Sequence, residues 1–310
     1  MGSAERESYH AGSRLMAAGD VSSRSAWYHL GRLTPLVKTL RSYGVNEQEV
    51  AADDLAAHAA RIRLAGYSVL TAAFDARETA DLAARLDEAL RRQTQEFGSE
   101  RLEQIGDGFT VRCPLVDDSA FLTLATHPQL LALVRLLVGD YIVLMQQNGV
   151  INPPQEGHTQ GAYHRDLPYQ HFVSSRPLAI SALFCIDPFR TETGATMVIP
   201  GSHHVERFPS ADVAASLEVS VNAEAGSFVV FDAMLFHRAG DNRSGRLRRA
   251  VNNVFSVPII AQQISLPSAL NGRYSDDPAL ARLLGYDSSP AASVVDWRTR
   301  RLRRSGKRTQ

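Results

Sequence analysis

Tyr163-His164-Arg165-Asp166-Leu167-Pro168 is the stretch on which the reading of this chain turns. In an extended segment, residues two apart face the same side. The imidazole of His164 and the carboxylate of Asp166 therefore point together at one object. A second imidazole would complete one triangular face of an octahedral iron and leave the opposite positions open for a co-substrate and dioxygen.

His237 is the candidate for that third ligand. It follows the run Ser227–Phe236, where a barrel strand can return it to the same mouth. Asp241-Asn242-Arg243-Ser244-Gly245 then reads as a turn and Arg246–Val257 as a returning strand, so that a hairpin brings its arginines beside the metal. Arg248 shares a strand face with Ala250, Asn252 and Val254, where a guanidinium can clamp a carboxylate through two hydrogen bonds. Alternation also leaves Arg246 on that face, and it selects Arg249 if the opposite face points inward.

Outward from this centre, short apolar or alternating runs at Tyr141–Met145, Leu178–Ile186, Thr196–Ile199, Ser227–Phe231 and Ala250–Val257 are separated by turn residues. They predict an all-β sandwich or barrel. Upstream the periodicity is helical. Ala26–Leu40 is interrupted by Pro35, and Asn46–Ala65 carries acidic residues early and arginines late. A short strand, Tyr67–Leu70, precedes Asp75, and Glu78 three residues later with Leu82, Leu86 and Leu90 predicts a capped amphipathic helix. His127-Pro128 opens another helix, whose stripe of Leu130, Leu131, Val134, Leu137 and Val138 ends at Gly139. The expected fold is mainly β with flanking helices. The expected organisation is a flexible leader over 1–25, a helical extension over 26–65, a β-rich domain over 66–260 and a C-terminal extension over 261–310.

Composition narrows the function classes. Lysine plus arginine and aspartate plus glutamate balance at 33 each in 310 residues, so no global field recruits nucleic acid or an anionic membrane. The N-terminus lacks the apolar run of a signal peptide and no stretch is apolar enough to span a bilayer, so a soluble, cytoplasmic protein with no membrane partner is expected. Cys113 and Cys185, outside any Cys-x-x-Cys pattern, read as buried thiols. Seven basic side chains between Arg298 and Arg308 read as a solvated tail without aromatic interleaving, and no nucleic-acid partner is expected.

Several ordered motifs together resemble the phytanoyl-CoA dioxygenase family of Fe(II)- and 2-oxoglutarate-dependent oxygenases. They are His164-Arg165-Asp166, Gly194-Ala195-Thr196-Met197-Val198-Ile199-Pro200-Gly201-Ser202-His203, and His237 followed by Asn242, Ser244 and Arg248, within a match running from about Tyr67 to Val257. The resemblance implies a double-stranded β-helix (jelly roll, cupin-like) core. It implies iron held by His164, Asp166 and His237, and Arg248 binding the distal carboxylate of 2-oxoglutarate, which settles the choice among the arginines. It further makes Gln147, Asn148 and Thr196 candidates for co-substrate binding. The Pro200–His203 turn is expected to be structural, with His203 hydrogen-bonded and His204 at the surface. Tyr163 stands where the family commonly has tryptophan and Thr193 where it usually has asparagine; neither departure touches the iron ligands.

His158, Tyr169, His171 and Arg176 flank the metal segment, and their polar and aromatic mix is a candidate substrate lining. The expected reaction is hydroxylation of a small-molecule substrate, with dioxygen consumed and succinate and CO2 released; desaturation, cyclisation or epimerisation would use the same ligands. Halogenation is not expected, because Asp166 occupies the position a halide would need. The competing readings are a metal-binding protein without turnover and a nucleic-acid binder using the basic tail.

Overall fold

Alternation along neighbouring strands gives the larger sheet two differently packed faces. The computed structural model describes residues 43–45, 47, 51–71, 74–154 and 159–306. The readings made for the leader, the Ala26–Leu40 helix, His158, Lys307 and Arg308 lie outside these residues. The strands are β1 (Tyr67–Thr71), β2 (Thr110–Arg112), β3 (Val143–Asn152), β4 (Ala179–Cys185), β5 (Thr196–Val198), β6 (Val219–Ser220), β7 (Ser227–Asp232), β8 (His237–Ala239) and β9 (Arg248–Ser256). Among the described residues they form a larger sheet in the order β1-β7-β4-β9-β3-β2 and a smaller one in the order β6-β5-β8, with antiparallel pairing throughout. This is the two-sheet jelly-roll arrangement the motifs implied.

On one face of the larger sheet, Ile180, Ala182, Phe184, Phe228, Val230, Val251 and Phe255 join Ile62, Leu86 and Leu133 from the helices in the main core. On the other face Leu183, Cys185, Val229, Phe231 and Ala250 pack with Val198 of the smaller sheet. Successive residues of one strand thus serve different layers, as a period of two requires.

The helices α1 (Asp54–Ala65), α2 (Ala76–Phe97) and α3 (Pro128–Val138) are placed by their ends. Asp53 caps α1 by accepting from the Ala56 N–H at 2.8 Å, so that helix starts later than the predicted Asn46. Gly66 ends it with φ +89°, and a Cβ there would meet Leu235 Cδ1 at 2.4 Å, so both conformation and space demand glycine. Asp75 and Glu78 form the predicted reciprocal capping box on α2. Pro128 opens α3, which buries Leu130, Leu133, Val134, Leu137 and Val138, each contributing about 1.5–3 kcal/mol of apolar burial. Leu266, Leu270, Leu283 and Leu284 from the C-terminal segment pack into the same core.

Two strand expectations need correction. Strand β3 runs to Asn152 rather than ending near Met145, and a bulge between Leu144 and Gln146 shifts its pairing with β9 by one residue. The Asp241–Gly245 segment does not close a hairpin. It crosses from β8 in the smaller sheet to β9 in the larger one. Asn242 stabilises the crossing by donating to the Asn152 carbonyl at 2.8 Å and the Arg246 carbonyl at 2.7 Å, while its own oxygen accepts from the Ser244 hydroxyl at 2.7 Å. Among the described residues no single helix is long and apolar enough to cross a membrane.

Candidate metal centre

A short antiparallel bridge draws the two histidines together. The His164 N–H donates to the His237 carbonyl at 3.0 Å and the His237 N–H to the His164 carbonyl at 3.1 Å. Directly opposed residues project to the same side. Two residues on, the Asp166 N–H donates to the Ala233 carbonyl at 2.9 Å, which fixes the carboxylate over the turn that leads into β8. Asp166 Oδ1 lies 3.9 Å from His164 Nε2 and 3.6 Å from His237 Nε2, and one ligand atom from each of the three residues falls within 4.8 Å of the others.

Hydrogen bonds select which atoms face inward. His164 Nδ1 lies 2.9 Å from the Ala162 carbonyl and His237 Nδ1 2.9 Å from the Leu235 carbonyl. A carbonyl only accepts, so each Nδ1 carries the proton and each Nε2 turns its lone pair to the centre. Asp166 Oδ2 accepts from Ser181 Oγ at 2.5 Å and from Asn252 Nδ2 at 3.0 Å, leaving Oδ1 toward the histidines.

Burial opposes charge on Asp166, yet the charge of His237, its close approach, His164 and the Ser181 hydroxyl together hold this carboxyl well below the usual range. Burial, reinforced by His237, pulls His164 down, so that imidazole is neutral and ready to ligate. His237 is raised, because Asp166 outweighs its desolvation. Two imidazole nitrogens and one carboxylate oxygen on one side are the donor set of a non-heme iron site. Donors about 2.0–2.2 Å from such an ion stand roughly 3 Å apart, so the two separations between Asp166 and the histidines need to close by less than about 1 Å to seat it.

Arg248 forms the far wall, and it is 2% exposed. Its Nη2 donates to the Gly194 carbonyl at 2.9 Å, its guanidinium lies 4.4 Å from the centre of the Phe189 ring, and its buried Nε has no partner. Burial lowers it to about 10, which still leaves it cationic at neutral pH. The cavity is lined by His164, Asp166, His237, Thr196, Arg248 and Asn252, among others. A buried cation with unspent donor capacity suits an anionic ligand. Arg249 points to the opposite face, where it pairs with Asp87 at 2.8 Å and Asp187 at 3.1 Å, and Arg246 is exposed.

Thr196 lines the same cavity as the three ligands, whereas the structure does not bring Gln147 to the centre. Its amide faces the helices, donating to the Phe121 carbonyl at 2.9 Å and to Asn253 at 2.8 Å and accepting from the Leu115 N–H at 3.0 Å. Asn148 lies on the metal side of β3 opposite Asn252, but its amide rests 3.0 Å from Gln263 and outside the cavity lining. Tyr169, His171 and Arg176 are exposed and also outside that lining. His203 is buried and sits 3.2 Å from the Arg63 carbonyl, while His204 is exposed.

Arg165, Ser181 and Asn252 have roles the sequence reading did not assign. The buried Arg165 guanidinium points away from the two ligands beside it and donates to the carbonyls of Gln170 at 2.5 Å, Ser202 at 3.0 Å, Glu206 at 3.2 Å and Val205. It lies 3.8 Å from the Phe236 ring centre, tying the ligand segment to the Pro200–His203 turn. The alternation that pairs His164 with Asp166 also holds the signal that sends Arg165 the other way.

The sequence profile of the phytanoyl-CoA dioxygenase family matches residues 62–250. An uncharacterized protein of Mycobacterium tuberculosis is 34% identical over 242 residues, covering 75% of this chain and 87% of that protein. The iron/alpha-ketoglutarate-dependent dioxygenase ausO of Aspergillus calidoustus is 32% identical over 171 residues, covering 52% of this chain and 53% of its own. Among solved structures, the non-heme alpha ketoglutarate dependent epimerase SnoN from nogalamycin biosynthesis is 26% identical, with a TM-score of 0.50, covering 65% of this chain and 81% of SnoN. With its histidine–carboxylate centre set between the two sheets, this chain belongs to the phytanoyl-CoA dioxygenase family.

Proposed function

We propose that this protein is an Fe(II)- and 2-oxoglutarate-dependent dioxygenase that hydroxylates a small organic molecule. The observation that carries the reading is the convergence of His164, Asp166 and His237 in one cavity with the buried cation of Arg248. Iron, 2-oxoglutarate and dioxygen, when bound, supply the oxidation: one oxygen atom enters the keto acid as it loses CO2 and becomes succinate, and the other enters the substrate.

The chain's own groups bind and orient. His164 Nε2, Asp166 Oδ1 and His237 Nε2 hold the metal from one side. Arg248, steadied by Gly194 and Phe189, takes the distal carboxylate of 2-oxoglutarate, with Thr196 on the same wall. The Asp166 carboxylate occupies a coordination position and adds negative charge, which disfavours a halide on the same ion.

The test is aerobic incubation of the protein with Fe(II), 2-oxoglutarate and a panel of small-molecule substrates in chloride buffer. The expected result is iron-dependent succinate, with a product heavier by one oxygen atom and no chlorine isotope pattern. A chlorinated product, or no iron-dependent succinate with any substrate or with the keto acid alone, contradicts the reading. The likeness to an epimerase favours one further outcome from the same ligands, a product of unchanged mass and inverted configuration, for which an added reductant such as ascorbate must supply the two electrons that inversion does not take from the substrate.

A further inference from the structure

We propose that Ser181 and Asn252 are positioning residues that restrict Asp166 to a single ligating oxygen and so leave the remaining coordination positions free for the co-substrates. The inference rests on the function proposed above. Both donors converge on the same atom, Asp166 Oδ2, from Ser181 Oγ at 2.5 Å and Asn252 Nδ2 at 3.0 Å. The other oxygen, Oδ1, is the one nearest His164 and His237.

A carboxylate can bind a metal through one oxygen or chelate it through two. An octahedral ion with three protein donors has three positions left, enough for a chelating keto acid and dioxygen. A second oxygen from Asp166 would take one of them. Hydrogen bonds to a carboxylate oxygen are charge-assisted, and two on one oxygen oppose its rotation toward the ion.

The two donors stand on rigid, adjacent strands. Ser181 is 0% exposed on β4, Asn252 is 8% exposed on β9, and the pairings Ser181 with Val254 and Leu183 with Asn252 set them side by side on the metal face. The amide orientation follows from the network: turned over, Asn252 would set an oxygen against Asp166 Oδ2. Its own Oδ1 has no protein partner. Asn252 thus holds the ligand with one end while the other remains available to the cavity it lines.

Ser181→Ala and Asn252→Leu each remove one donor. Calorimetry gives the Co(II) affinity of each protein and then the 2-oxoglutarate affinity of the Co(II)-loaded protein, while the visible spectrum of Co(II) follows its coordination. In both variants Asp166 still ligates, so Co(II) affinity is expected to change by no more than about tenfold, the low end for outer-shell changes at metal sites, whereas 2-oxoglutarate, which must displace the second Asp166 oxygen or crowd into the positions left, binds more weakly by about tenfold or more. The Co(II) spectrum before 2-oxoglutarate is added should also differ from the parent's. Lowered Co(II) affinity with unchanged 2-oxoglutarate affinity would show mere support of the carboxylate and overturn the inference, as would no change in either. Ser181→Ala removes a single oxygen atom and decides the matter should Asn252→Leu unfold. Failure of the Co(II)-loaded parent to bind 2-oxoglutarate would overturn the proposed function itself; a binding parent with indifferent variants would overturn this inference alone.

Discussion

The two faces of the larger sheet use the same strands for opposite purposes. Phe184, Phe228, Val251 and Phe255 look toward the helices and are apolar and sealed. Ser181, Asn252 and Arg248 look toward the smaller sheet and carry buried polar groups that sit on or beside the metal ligands. A single residue step along β4 or β9 therefore separates stability from chemistry. The helix face supplies the rigidity that makes a buried polar face affordable, and mutations on the two faces should fail in different ways.

The largest difference is expected at the ligands. His164→Ala should lower metal affinity by more than about 100-fold, beyond the range for outer-shell changes, and abolish iron-dependent turnover. Retained metal affinity by calorimetry would blur the division between the faces. On the helix face, Phe184→Ala should destabilise the protein by about 3–5 kcal/mol in denaturant unfolding while the folded fraction binds metal as before. Arg248→Ala should weaken 2-oxoglutarate binding by about 2–5 kcal/mol, the scale for removing one partner of a buried charge pair. The converse result, loss with Arg249→Ala instead, would mean that the wrong face of β9 had been assigned to the co-substrate.

A smaller effect is expected from pH. Burial is the main cause holding His203 down to about 4, against an ordinary value of 6.5. The unfolded chain takes up this proton first as pH falls, so stability from the neutral ring is complete above about 6.5 and lost on descent toward 4. Asp232, raised by burial to about 6, acts in the opposite sense, and its contribution fades as pH rises through that value. His203→Gln should therefore flatten the fall in melting temperature between pH 7.5 and 5; an unchanged slope would remove His203 from the account. The smallest effect belongs to Arg249→Ala, which loses partly exposed pairs with Asp87 and Asp187 and should cost about 1 kcal/mol with 2-oxoglutarate affinity intact.

What the sequence revealed follows from where its signals are local. The Asp75–Glu78 capping box, the Pro128 start of α3 and the side shared by His164 and Asp166 each depend on a few adjacent residues, and each is present in the structure. Gln147 and Asn148 were candidates only through the resemblance, which points to the strand before the metal segment and does not say which neighbour faces inward. The bulge between Leu144 and Gln146 inserts one residue, so Gln147 opposes Asn253 on the helix face instead of joining Asn252. Nothing in the composition of that segment marks the bulge. The β8–β9 connection misled for a similar reason: Asn242 and Ser244 are turn residues in either topology, and only the pairing of β8 with β5 reveals a crossing between sheets. Ser181 and Asn252 were hidden because their function is to hold Asp166, a contact that spans 86 residues in the case of Asn252.

The most direct test of the central claim is an anaerobic crystal structure of the protein with Fe(II) and 2-oxoglutarate. The expected result is one metal about 2.0–2.3 Å from His164 Nε2, Asp166 Oδ1 and His237 Nε2, with the distal carboxylate of 2-oxoglutarate on Arg248. A metal bound without His237, or a co-substrate whose distal carboxylate rests on Arg249 or Arg246, would contradict it.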